Sequence, residues 1–216
     1  MSDLDVRAFT VGPVAENTYI VRADGGASRA LLIDPGDEAE RLGDAIDALG
    51  VEIDAILITH CHFDHIGAVA PLARETGAPV YCPEIEAGVL ADVMRWVPPG
   101  FGPFESYEAD HTVAGGDTLE LAGLNIDVIF TPGHSPGHVT YAISDHDALF
   151  SGDVLFQGSV GRVDLPGGDW PTLLASIDSL LSAYPGETTV YPGHRGITTL
   201  GRERATNPFL RELAER

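Results

Sequence analysis

The sequence predicts an α/β protein in which β-sheets carry helices on their outer faces. Strand-like and helix-like runs alternate through both halves of the chain. Of its 216 residues, 44% are hydrophobic, enough for one substantial core. No repeat, low-complexity tract or linker interrupts it, so residues 1–216 are expected to form a single domain.

The first half opens with three strand-like runs, "DVRAFTV", "NTYIVRA" and "ALLIDPG". "DEAERLGDAIDALG" then has helical spacing, with Leu42, Ile46 and Leu49 on one face and Gly50 as its stop. "DAILIT" reads as a buried strand leading into "HCHFDH", and a helix is expected over residues 66–77, ending at Gly77. Glu84 to about Met94 reads as helical, and "WVPPGFGPFESYEADH" as loop.

In the second half, "DTLELAGLNIDVIFTPG" reads as two strands joined by a turn at Ala122-Gly123. "HVTYAIS" and "DALFSGD" give two more. "DWPTLLASIDSLLSAY" is a helix capped by Asp169 with Pro171 in its first turn. "TTVYPGH" is a last strand, followed by a helical tail over "LGRERATNPFLRELAER".

Composition excludes several classes. A formal net charge of -21 repels phosphate backbones, so nucleic acid is not an expected partner. All 12 basic residues are Arg, a bias that salt adaptation or a high-GC genome would equally produce. No run is apolar enough to span a membrane, "MSDLDVRAFT" lacks the basic start and apolar run of a signal peptide, and a cytoplasmic protein, monomeric or homodimeric, is expected. Cys61 and Cys82 are expected to be free thiols, with Cys61 a buried filler.

The chemistry-bearing residues recur at strand ends. His60 follows "DAILIT", His134 follows "IDVIFTPG", Asp153 follows "DALFSG" and His194 follows "TTVYPG". If the backbone stays extended through residue 62, His60 and His62 share a face. A turn at Phe63 would then carry Asp64 and His65 to a neighbouring position, so one segment would serve two metals. His111 and His146 are expected at the surface. His138 has a hydrogen-bonding role beside the site or a purely structural one.

"GHSPG" matches the nucleophile elbow of serine hydrolases, with Asp153 and His194 in triad order. The elbow needs an N–H after the nucleophile and a following helix. Pro136 has no N–H, and "HVTYAIS" reads as a strand.

Taken together, "THCHFDH", "TPGHSPGH", "SGDVLF" and "YPGH" resemble the successive ligand motifs of the metallo-β-lactamase superfamily. That resemblance covers nearly the whole chain and implies an αββα sandwich with metals at one edge of two mixed sheets. It implies His60, His62 and His134 for a first metal, Asp64, His65 and His194 for a second, and Asp153 as the bridge. Asp64 is expected to be a catalytic residue as well as a ligand. Two divalent ions so held, Zn above Fe or Mn, would lower the pKa of a shared water toward about 7 and stabilise the oxyanion of an attacked carbonyl.

Within the superfamily, "GDVLFQGSVGRVDLPGGD" and "ERATNPFLR" resemble short glyoxalase II-type hydrolases. The resemblance implies hydrolysis of a small anionic thioester such as S-lactoylglutathione. It matches Arg162 to a basic residue that contacts glutathione, whereas Asp164 stands where longer enzymes carry tyrosine, and no separate C-terminal substrate-binding domain is expected. The tail arginines Arg195, Arg202 and Arg204 are expected on a solvated helix face. A mononuclear-iron persulfide dioxygenase, using His60, His134 and Asp153, is the rival reading; a non-catalytic metal-binding module is the third.

Overall fold

The computed structural model describes residues 4–211. Strands β1 (Asp5–Val11), β2 (Glu16–Arg22) and β3 (Arg29–Ile33) form an antiparallel meander. Helix α1 (Ala39–Leu49) crosses to β4 (Glu52–Leu57), which lies parallel to β3. Helices α2 (Phe63–Ile66) and α3 (Val69–Thr76) lead to β5 (Val80–Pro83), and α4 (Ala87–Leu90) and a long loop lead to β6 (His111–Val113). Both strands extend the sheet in parallel, giving the order β1-β2-β3-β4-β5-β6.

The second sheet begins with β7 (Thr118–Leu121), β8 (Leu124–Phe130), β9 (Val139–Ile143) and β10 (Ala148–Gly152), each antiparallel to the one before. A two-strand hairpin, β11 (Leu155–Phe156) and β12 (Ser159–Val160), precedes α5 (Trp170–Ala183). Strand β13 (Thr189–Pro192) then joins β10 in parallel, and β14 (Thr198–Thr199) and α6 (Leu200–Thr206) follow. The sheet order is β14-β13-β10-β9-β8-β7.

Alternation along the strands builds three apolar layers. On β3, Leu31 and Ile33 point between the sheets, while Ala30 and Leu32 point toward α1 and α3. On β10, Ala148 and Phe150 enter the central layer and Leu149 meets α5. Both faces of each sheet are therefore buried, and the result is the αββα sandwich.

Local signals act as the sequence expects. Leu42 and Ile46 are buried on α1, and Gly50 closes that helix in the left-handed region. Asp169 caps α5 by accepting from Thr172 N at 2.9 Å. Ala122 and Gly123, both at positive φ, make the two-residue turn between β7 and β8.

Four elements differ from expectation. The helix expected over 66–77 is two helices broken at Gly67-Ala68, the first starting at Phe63. The segment read as helical from Glu84 yields only α4 and one 3-10 turn over Val93–Arg95. His111 belongs to edge strand β6 rather than to a loop, although it is exposed as expected. The tail helix ends at Thr206, because Asn207 is extended ahead of Pro208, and a single turn follows over Pro208–Leu210. The remainder of that expected helix, residues 212–216, lies outside the described residues. Arg195, placed on the tail, sits instead in the loop after β13 at positive φ.

Candidate metal centre

Five strands, β3, β4, β8, β10 and β13, run in one direction, and their C-terminal ends meet at one edge of the sandwich. The loops that leave them carry the cluster. His60 Nε2 lies 3.1 Å from His62 Nδ1, and His134 Nε2 lies 3.2 and 2.8 Å from those same two atoms. Three imidazole nitrogens thus converge on one point.

A second group lies beside it. His194 Nε2 is 3.2 Å from Asp64 Oδ2, and His65 Nε2 is 3.8 Å from the same oxygen. Asp153 stands between the groups, with Oδ1 3.4 Å from His65 Nε2 and Oδ2 3.5 Å from both His134 Nε2 and His194 Nε2. All seven residues expected from the sequence are brought together.

The donor set fits divalent ions on two counts. Imidazole and carboxylate are the borderline ligands that Zn, Fe and Mn accept. Moreover, His65 Nε2 and Asp153 Oδ1 are buried here without a hydrogen-bond partner, an arrangement that is costly unless a cation satisfies it. Gly193 keeps the space clear, since a Cβ there would fall 2.3 Å from Asp153 Oδ1.

Four of the five imidazoles in the cluster are oriented from behind. His134 Nδ1 donates to the Arg162 carbonyl at 2.7 Å, and His194 Nδ1 to the Ala15 carbonyl at 3.2 Å. His65 Nδ1 pairs with Asp34 Oδ2 at 3.0 Å, and Asp34 also accepts from Thr59 N and Thr59 Oγ1. Thr59 Oγ1 in turn lies 3.1 Å from His60 Nδ1. His138 supports Asp153: its Nδ1 is 3.0 Å from Thr131 Oγ1, and its Nε2 accepts from the Asp153 N–H at 3.0 Å. The hydrogen-bonding alternative for His138 is the one realised.

Two supporting acids were not singled out in the sequence. Asp34 ends β3 in "DPG", a turn signal that also fits the strand-end rule. Glu86 has no such signature. It is buried, and it accepts from Cys61 N, Ser135 Oγ and Gly137 N, tying the loop of His60 and His62 to the loop of His134. Ser135, the nominal elbow serine, is thereby engaged as a donor to Glu86. Cys61 and Cys82 are free and buried, their sulfurs 3.4 Å apart.

The electrostatics divide the cluster. Burial holds His60 well below the ordinary imidazole value, and burial beside His134 brings His62 down to about 4. Burial also opposes the charged form of His65, but the Asp153 and Asp64 carboxylates outweigh it and hold its pKa well up. Asp153 is held far below the carboxylate range: burial opposes this, and His65 and His134 prevail.

Arg162 is exposed and lines the cleft beside the cluster, but its guanidinium forms a two-bond pair with Asp164, both contacts 2.7 Å. The two stretches that set it apart in the sequence interlock. Glu203 accepts from Gly158 N and Asn207 Nδ2 donates to the Ser159 carbonyl, which fixes the β11–β12 hairpin ahead of Arg162. Arg204 reaches the Leu181 carbonyl at the end of α5, and Arg202 is exposed.

A sandwich with a His/Asp cluster at the carboxyl edge of its paired sheets defines a class of metal-dependent proteins. The chain belongs to the metallo-beta-lactamase superfamily, whose family model matches residues 11–194. It is 40% identical over 209 residues to the probable metallo-hydrolase YqgX of Bacillus subtilis, covering 94% of this chain and 96% of that one. It is 36% identical over 210 residues to the hydroxyacylglutathione hydrolase GloC of Haemophilus influenzae, covering 96% and 98%. Among solved structures, BLEG-1, described as a B3 metallo-beta-lactamase, superposes with a TM-score of 0.90 at 38% identity over 96% of this chain and 100% of that one. TTHA1623 in a di-iron-bound form superposes at 0.78 with 43% identity over 95% and 100%. Among the described residues no helix is long and apolar enough to cross a membrane.

Proposed function

We propose that this protein is a dinuclear metallo-hydrolase that cleaves thioesters. The observation that carries the reading is the position of Asp153, whose carboxylate reaches both groups: Oδ2 lies 3.5 Å from His134 and from His194, and Oδ1 3.4 Å from His65. His60, His62 and His134 would hold one ion and Asp64, His65 and His194 the other. When bound, such ions supply an acidified water and a polarised carbonyl. The hydroxyacylglutathione hydrolase relative supports a thioester substrate, and the di-iron-bound relative supports two ions and adds iron to zinc as a resident metal.

The chain's own residues leave water as the nucleophile. Burial pushes the Cys61 thiol well up, with Cys82 adding to it, and Ser135 Oγ is bound to Glu86. Asp64 stays ionised: burial opposes this, but His65 and His194 lower its pKa. It lines the cleft and is the carboxylate placed to accept the proton of the attacking water. Water oxygen adds to the thioester carbon, the C–S bond breaks, and the thiol leaves with a proton. A single-ion persulfide dioxygenase would engage His60, His134 and Asp153 and leave Asp64, His65 and His194 without an ion.

The test is hydrolysis of S-lactoylglutathione under argon. Thiol release that stops with a chelator and returns with added Zn or Fe is the expected result. Oxygen uptake on glutathione persulfide without thioester cleavage would overturn the reading. Ion binding without either reaction would favour a passive module.

A further inference from the structure

The ligand cluster opens into a cleft of about 700 Å³ whose walls are mainly apolar. Val14, Phe63, Ile85, Val89, Trp96 and Leu165 line it. Three of these are large apolar side chains left in water, Val14 at 38%, Ile85 at 57% and Trp96 at 52% exposure. Isolated exposed apolar residues mean little, but several gathered around a reactive centre mark a binding surface.

The charges in the cleft point the same way. Arg162 is the single cation among its described lining residues, and Asp164 neutralises it through both nitrogens. The lining carboxylates are Asp64, Glu86 and Asp153, all turned to the ligands or to the loop behind them. Away from the ligands, the described lining residues offer no free positive charge to a carboxylate, and Arg95, whose Cζ lies 5.7 Å from the Trp96 ring centre, is not among them. An arm such as glutathione, with two carboxylates, would lose water there without gaining an ion pair.

We infer that the cleft selects thioesters whose arm away from the scissile bond is apolar and uncharged, with Trp96 as its principal contact. This rests on the reading of the site as a thioester hydrolase.

Two stable thioethers test it by calorimetry on the metal-loaded protein: S-hexyl-N-acetylcysteamine, which is uncharged, and S-hexylglutathione, which is charged. The uncharged one is expected to bind about tenfold tighter, and Trp96→Ala should abolish most of that advantage, as loss of apolar contact of this size does. Asp164→Asn, which frees Arg162, should shift the ratio back toward S-hexylglutathione. Equal or tighter binding of S-hexylglutathione by the unaltered protein, or a ratio unmoved by Trp96→Ala, would overturn the inference. The corresponding hexanoyl thioester of N-acetylcysteamine and S-lactoylglutathione separate the two readings. Faster turnover of S-lactoylglutathione contradicts the apolar preference and leaves hydrolysis standing. Binding with the expected ratio but cleavage of neither contradicts hydrolysis alone.

Discussion

Asp34 and Glu86 brace the cluster from behind, Asp34 chiefly through His65 and Glu86 through the loops of His60 and His134. Asp34 fixes His65 and Thr59, so Asp34→Ala leaves His65 free to rotate and Thr59 N unpaired. Its expected effect is a loss of about 10–100-fold in affinity for the ion held with His65, with the His60, His62 and His134 group less affected; competition with a chromophoric chelator reads both. Glu86→Ala, by contrast, unties the loops of His60 and His134, so the loss should fall on the first ion. The two groups also respond differently to protons. His62, lowered to about 4, is already neutral at pH 6, whereas His65, raised above its ordinary value, still carries a proton that an incoming ion must displace. As pH falls from about 7 to 5, the ion at His65 is therefore expected to leave first. Metal content after dialysis at each pH checks this, and simultaneous loss of both ions would contradict it. The seven residues that converge in the cluster were legible in the sequence because His and Asp behind apolar runs are chemically conspicuous. Glu86 was not, since nothing local distinguishes one Glu from the rest, and its three bonds come from segments 25 to 51 residues away.

At the scale of elements, α5 sets the position of the His134 loop. Ser176 Oγ donates to the Pro132 carbonyl at 2.7 Å, and Asp169 N to the Gly133 carbonyl at 2.8 Å. Gly133 is at φ 123°, and a Cβ on it would lie 2.2 Å from Leu173 N. Gly133→Ala should therefore cost roughly 2 kcal/mol or more. A lowered urea midpoint with a weakened first ion is the expected pair of results. The elements with strong internal signals, α1, α5 and the hairpin at Ala122-Gly123, follow their periodicity and caps. Those that differ are short. β6 has 3 residues, too few for alternation to register, and it becomes a strand because β5, itself paired to β4, offers an edge. The break between α2 and α3 likewise arises from packing: Ala68 N bonds to the Pro35 carbonyl in the loop after β3, not to a carbonyl of α2.

The molecule as a whole carries a net charge of -21, and its acidic residues repel one another in the folded state. Raising salt from low levels to about 1 M, where the Debye length falls to about 3 Å, should raise Tm by on the order of 5 °C in the metal-free protein. A flat response in a salt-titrated thermal melt would show that the acid surface does not strain the fold. The paired sheets bring five strand ends, separated widely in sequence, to one edge, and Asp153 joins two ligand groups there. The number of ions held at that edge distinguishes a bridged pair from a single redox iron. Elemental analysis of protein purified without chelator measures it directly. Two divalent ions per chain are expected, zinc or iron; a reproducible single iron per chain would contradict the dinuclear site.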